Sequence, residues 1–262
     1  DRPGRTGRGR REGERTGPQQ AVEGRTRAEF GLQADAPAHE PHQGRRHPQP
    51  DARALLCGCF VQGKIINART VLRRFLRDHG DSDSAPAIEA AAASMADMLD
   101  RVARATTEEH IRGIEGEAAA LYFSVFDGLV LTRVKDFTFT TRSRRPPLDP
   151  VNCLLSFVYT LLAHDVRSAL ETVGLDPQVG FLHRDRPGRP SLALDVMEEF
   201  RHWLADRLVL SLVNRGQLGP KDFKRSGSGG VVLADDARKD VLVAWQKRKQ
   251  EEVLHPFLDE RL

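Results

Sequence analysis

From Asp51 onward the sequence predicts a mainly α fold, and three observations predict it. Apolar residues recur at three- and four-residue spacing through long segments. Strand-like alternation is confined to about two short stretches. Residues that start and stop helices fall at the ends of the periodic segments.

The first helix follows from Leu55, Leu56, Cys59, Phe60, Ile66, Leu72, Phe75 and Leu76, with Arg77 and His79 in its last turn and Gly80 as its stop. Asp81 to Pro86 reads as a loop. Ala87 to Ala105 is alanine-rich, with Ile88, Met95, Met98, Leu99 and Val102 on one side, which predicts a second helix. Thr107 followed by Glu108 and Glu109 starts a third, expected to run toward Val130. Arg142 to Pro150 is a basic loop punctuated by prolines. Asn152 to Val173 predicts a strongly apolar helix closed by Gly174. Val179 to Arg189 is irregular and contains His183. Pro190 or Ser191 starts another long helix, expected to end near Asn214 to Gly216. Ser226 to Gly230 predicts a tight turn beside the short strand Val231–Leu233. A last helix, capped by Asp235 or Asp236, runs through Trp245 toward Glu252.

Residues 1–50 have a different texture. They carry only Val22, Phe30 and Leu32 as large apolar side chains among Gly, Pro, Gln and Arg. Such a stretch buries too little surface to offset its ordering entropy, which predicts a disordered, low-complexity tail; an arginine-rich nucleic-acid arm is the sharper alternative. The tail also holds the charge. The chain of 262 residues has a formal net charge of +3, and residues 1–50 contain ten arginines against seven acids, so residues 51–262 are formally neutral. A global basic charge is therefore poor evidence for a nucleic-acid partner. No run approaches the roughly 18 apolar residues of a membrane span. Three cysteines cannot make a disulfide framework and fit a reducing cytoplasm.

Two constellations carry candidate chemistry. Glu115 lies between Gly113 and Gly116 in the third helix, in apolar surroundings. Glycines inside a helix cost about 1 kcal/mol each relative to alanine, and close helix packing is the plain explanation for them. Glu115 is a candidate metal or catalytic carboxylate, with an ordinary exposed helix glutamate as the alternative. Asp195 and Glu198 form the second constellation: they are three residues apart, hence neighbours on one helix face, and interrupt a buried-looking stretch just after His183. Imidazole plus carboxylates suits Mg²⁺ or Mn²⁺ better than a soft zinc site. No HExxH motif is present.

Weaker signals have plain readings. Cys57-Gly58-Cys59 lacks a second ligand pair. The glycine turn at 226–230 lacks the lysine of a phosphate loop. Ser156 and His164 make no nucleophile pair, and His202 reads as a surface or packing residue. Arginines and lysines cluster at 133–145, around His183 and at 221–225, as a phosphodiester partner would require.

Five motifs in order make the sequence resemble a known family: Gly113-Ile114-Glu115-Gly116; Arg144 to Asn152 with Leu154-Leu155-Ser156 and Tyr159; Gly174-Leu175-Asp176-Pro177; Gly180-Phe181-Leu182-His183; and Asp195 to Arg201. Together they resemble the CRISPR-associated endonuclease and integrase, the first Cas protein, in its type I-C-like branch. The resemblance covers about Ala54 to Leu262. It implies an all-helical catalytic domain in which Glu115, His183 and Glu198 hold Mg²⁺ or Mn²⁺ and carry the catalysis. Asp195 supports that set from a second layer, and Arg144, Arg145, Arg184 and Arg186 position DNA. It also implies double-stranded DNA as substrate (spacer and CRISPR repeat), a homodimer, and a small ferredoxin-like second Cas protein as partner. Residues 1–50 do not look like the β-domain expected ahead of the helices, and a further helix is expected after Leu262, so a member truncated at both ends is the expectation. The rival reading is a non-catalytic helical DNA-binding or scaffold module.

Overall fold

The computed structural model describes residues 50–252, Arg133 and Ser228 excepted, and all of these belong to one unit spanning Gly44–Leu262. The expectations for the tail, for Arg133 and for the chain after Glu252 lie outside the described residues.

Helix α1 (Pro50–His79) is the longest described element, and its stripe Cys57, Val61, Ile65, Ala68, Leu72 and Phe75 is buried. That stripe packs against α2 (Ala85–Arg104), α3 (Glu108–Ser124) and α5 (Ser191–Phe200). Ala91 and Ala92 let α2 come close to α1, while Ile88, Met95 and Met98 fill the contact. Thr107 caps α3, its hydroxyl accepting from the His110 amide at 3.3 Å.

Helix α3 ends at Ser124, short of the expected Val130. The chain instead tightens into a 3₁₀ turn, Phe126–Leu129, that buries both of its end residues. Two contacts require this. A Cβ on Gly128 would come 2.7 Å from the Ser84 Cβ, and Asp127 accepts a 2.6 Å hydrogen bond from the Phe139 amide. A continued helix would satisfy neither.

Asp149 caps α4 (Pro150–Thr172) by accepting from the Asn152 amide at 2.7 Å, with Pro150 in the first turn. Val151, Leu154, Leu155, Val158 and Leu162 place α4 in the core, and Gly174 closes it at φ +77°. The expected long helix from Ser191 is present, but it widens into a π-helical segment, Arg201–Asp206, before resuming as α6 (Arg207–Asn214). Strands β1 (Phe223–Arg225) and β2 (Val231–Leu233) pair antiparallel, Lys224 opposite Val232. The Val231 amide donates to the Pro147 carbonyl at 2.8 Å, which ties this hairpin to the basic loop. Helix α7 (Asp235–Lys249) buries Ala237, Val241 and Trp245, and the indole N–H donates to Asp165 at 2.7 Å. No helix among the described residues is long and apolar enough to cross a membrane.

Candidate functional site

The loop after α4 folds back onto α5 because glycine allows it. A Cβ on Gly180 would fall 2.4 Å from the Ser191 Cβ and 2.8 Å from the His183 carbonyl oxygen, so any larger residue would push the loop off the helix. Asp195, fully buried on α5, then gathers it in. Its carboxylate accepts from the amides of Phe181 (2.6 Å), Leu182 (3.0 Å) and His183 (2.8 Å), and the His183 Nδ1 lies 2.7 Å from the same group. Two arginines hold the outer side: Arg112 of α3 donates to the Leu182 carbonyl at 3.0 Å, and Arg53 of α1 to that of Phe181 at 3.3 Å. The other ring nitrogen of His183, Nε2, faces Glu198, 4.0 Å from Oε1.

Glu198 stands one turn beyond Asp195, its side chain 3% exposed. It meets two cations. Arg201 pairs with Oε1 at 2.8 Å, and the Lys64 ammonium lies 2.6 Å from Oε2. Burial alone would raise the Glu198 pKa, but Arg201 and Lys64 outweigh it and bring it down to about 2. Lys64 is itself 5% exposed and hydrogen-bonds to Oε1 of Glu115 across the same gap. One ammonium from α1 thus bridges a carboxylate from α3 and another from α5.

Behind Arg201 the π-helical turn builds a second buried network. Arg201 lies over the Tyr159 ring, 4.7 Å from its centroid, and Arg142 approaches the same ring at 5.5 Å. The Tyr159 hydroxyl donates to Asp206 at 2.6 Å, and His202 Nδ1 lies 2.7 Å from the other Asp206 oxygen. Burial pushes the Tyr159 hydroxyl well above its ordinary range, so it remains a donor.

Glu115, His183, Glu198 and Asp195 therefore lie in one neighbourhood, although among the described residues no three His, Cys, Asp or Glu side chains stand ready to hold a single ion. Arg144 and Arg145 are exposed on the loop before α4, beside the Arg201 side of the site. Arg184 instead reaches Glu109 at 3.1 Å, both side chains well exposed, and Arg186 is exposed on the loop. Close packing does not account for Gly113 and Gly116: both are exposed, and a Cβ on either would meet nothing within 4 Å.

Sequence reasoning missed Lys64, Arg201 and Asp206. Lys64 had a signal: it falls on the α1 stripe between Val61 and Ala68, where a cation is out of place without a partner. Asp206 had none, because the π-helical turn that aims it carries no periodic mark.

Residues 33–247 match the family described as CRISPR associated protein Cas1. A relative from Chlorobaculum tepidum, described as CRISPR-associated endonuclease Cas1 1, is 58% identical over 212 residues, covering 81% of this chain and 62% of that one. Among solved structures, a casposase bound to integration product superposes with a TM-score of 0.68 at 26% identity, over 79% of this chain and 56% of that one. A partial Cas6-RT-Cas1–Cas2 complex gives a TM-score of 0.67 at 27% identity, over 78% and 59%. The chain spans about three fifths of the length of the first curated relatives it matches.

Proposed function

The chain belongs to the Cas1 family of CRISPR-associated proteins, and from that premise we propose that it is a metal-dependent DNA endonuclease and integrase of CRISPR adaptation. It joins short foreign DNA to the repeat by phosphodiester transesterification in the cytoplasm. In this reading Glu115, His183 and Glu198 hold Mg²⁺ or Mn²⁺, which on binding supplies Lewis-acid stabilisation of phosphoryl charge and a more acidic attacking hydroxyl. The donor set fits such an ion: two carboxylates already converge on one cation, and an imidazole nitrogen stands beside them.

The observation that carries the reading is the Asp195 clamp. Four contacts from one buried carboxylate fix the His183 backbone and the orientation of its ring, so that Nε2 is the nitrogen turned toward Glu198. Glu115 and Glu198 supply charge, and Arg201 stabilises Glu198 in its ionised state. Burial lowers the Arg201 pKa and Glu198 raises it, and the net direction is up. Arg144, Arg145, Arg184 and Arg186 position the phosphate backbone without reading sequence. Double-stranded spacer and repeat DNA, a second copy of the chain and a small ferredoxin-like second Cas protein complete the assembly. The Cas1–Cas2 complex that the fold resembles supports that last partner. The motif set points to the type I-C-like branch.

One observation favours the rival reading, a non-catalytic DNA-binding or scaffold module: the Lys64 ammonium already occupies the gap between the two carboxylates. Calorimetric titration with Mn²⁺ separates the two, since the scaffold binds no ion while folded. For the integrase, Mn²⁺-dependent strand joining by the purified chain is the test. Glu115→Ala and His183→Ala are expected to abolish it, and joining that survives both substitutions ends the assignment.

A further inference from the structure

Lys64 is the member of the site that the helix pattern least explains. It falls on the buried stripe of α1, between Val61 and Ala68, and is itself buried. A lysine this deep in a fold is almost always paired. Its partners come from two other helices, Glu115 on α3 and Glu198 on α5. Among the described residues no three His, Cys, Asp or Glu side chains are close enough together to hold one ion. The ammonium fills the gap between the two carboxylates instead.

That bridge is complete on one side only. Lys64 donates a hydrogen bond to Oε1 of Glu115. Its ammonium also lies 2.6 Å from Oε2 of Glu198, yet that oxygen is buried and accepts no well-directed hydrogen bond. The contact is one of charge without a directed bond, and buried acceptors left so are rare enough to call for an explanation. Asp195, one turn earlier on the same helix, shows the contrast. Both of its oxygens accept from backbone amides, and the His183 ring stands against one of them. Asp195 has nothing left to offer a ligand, whereas Glu198 keeps an acceptor on the side that faces Glu115 across the ammonium. The Glu115 side chain is a quarter exposed, so the gap opens to solvent on the α3 side.

We propose that Lys64 is a resident counter-cation, whose ammonium holds the place of a divalent ion between Glu115 and Glu198 and is displaced when that ion binds. The inference rests on the metal reading above and deepens it. Without the ammonium, two carboxylates would face each other across a largely buried gap with no charge between them. With it, an incoming cation competes for the gap, and its apparent affinity is reduced by the fraction of time the ammonium is away. A hard divalent ion has twice the charge and takes several oxygen ligands at once, so it wins where a monovalent ion does not. The flexible four-carbon stem lets the ammonium withdraw while α1 stays in place. Lys64 is thus a positioning residue that sets the loading threshold of the site and is not a ligand.

The test uses the full chain without DNA, so that strand joining plays no part. Mn²⁺ binding is measured by calorimetry at constant pH and ionic strength in the wild type, in Lys64→Met and in Lys64→Gln. Both variants are expected to bind at least tenfold more tightly, and adding Glu115→Ala to either is expected to remove the gain. Affinity that is unchanged or weaker in the folded Lys64 variants overturns the proposal. A second measurement needs no variant. Acylation of Lys64 in the wild type, read by mass spectrometry against the exposed Lys239, is expected to be slow without metal and several-fold faster in saturating Mn²⁺. Equal protection of Lys64 with Mn²⁺ bound overturns the proposal, and this arm decides if neither variant folds. The metal reading fails differently: no Mn²⁺ uptake by wild type or variants, or uptake that survives both Glu115→Ala and His183→Ala, ends it and the proposal together. Uptake gained only when Lys64 is replaced supports both.

Discussion

Replacing Lys64 with methionine leaves the Glu115 and Glu198 carboxylates facing each other without the ammonium that bridges them. Breaking a buried pair from one side costs about 3 kcal/mol, so the variant is expected to unfold at lower urea. Mn²⁺ is expected to recover part of that loss by mass action; a loss that Mn²⁺ does not touch counts against an ion between these residues. Glu198 makes its own prediction. Its pKa falls from 4.5 to about 2 on folding, so its ionised form stabilises the fold above pH 4.5 and that contribution fades as pH drops toward 2. Melting temperature against pH checks this, and Glu198→Gln is expected to be less stable at neutral pH with a shallower acid limb. At this scale the sequence was informative where spacing was local. Asp195 and Glu198 could be paired because they are one turn apart, and His183 because it just precedes them. Lys64 lies 51 residues from Glu115, and nothing in the local pattern connects them.

Among the elements, α3 bears the clearest departure from helix preference. Gly113 and Gly116 sit exposed in its interior with open space where a side chain would go. Alanine at either position is expected to raise stability by about 1 kcal/mol, measured as a higher urea midpoint at unchanged slope. A loss instead would mean that the backbone there is strained in a way the geometry does not show. Helix identities were legible because stripes such as Ile88–Met95–Met98–Val102 repeat at the helical period; in α1, however, the expected Leu55 and Ile66 are exposed, and Val61 and Ile65 are buried in their place. Their irregularities were not. The 3₁₀ turn at Phe126–Leu129 depends on Ser84 and Phe139, and the π-helical turn at Arg201–Asp206 on Tyr159; both are partners from distant segments. Periodicity finds helices and is blind to what bends them.

For the whole molecule, total charge and local grouping of charge say different things. Residues 51–262 are formally neutral, yet arginines concentrate around a cavity beside Arg201. A second cavity of about 520 Å³ is lined by Arg73, Arg74, Arg77 and Arg207. The core supplies a global test. Cys57 and Cys153 are buried, with burial pushing their thiols up to about 12 and about 11. At pH 8 both are expected to resist a thiol reagent until the unit unfolds, so labelling rate against urea reads global stability. Rapid native labelling of either would show that the helices open locally. The placement of the site residues has one more consequence. His183 and Glu198 are fastened to the same helix, His183 through the Asp195 clamp, and move as one piece, whereas Glu115 rides on another helix and is joined to them through a lysine from a third. The site is in effect a gauge of the spacing between α3 and α5, with α1 as its ruler. Anything that shifts α1, even far from the carboxylates, is read out there as a change of aperture.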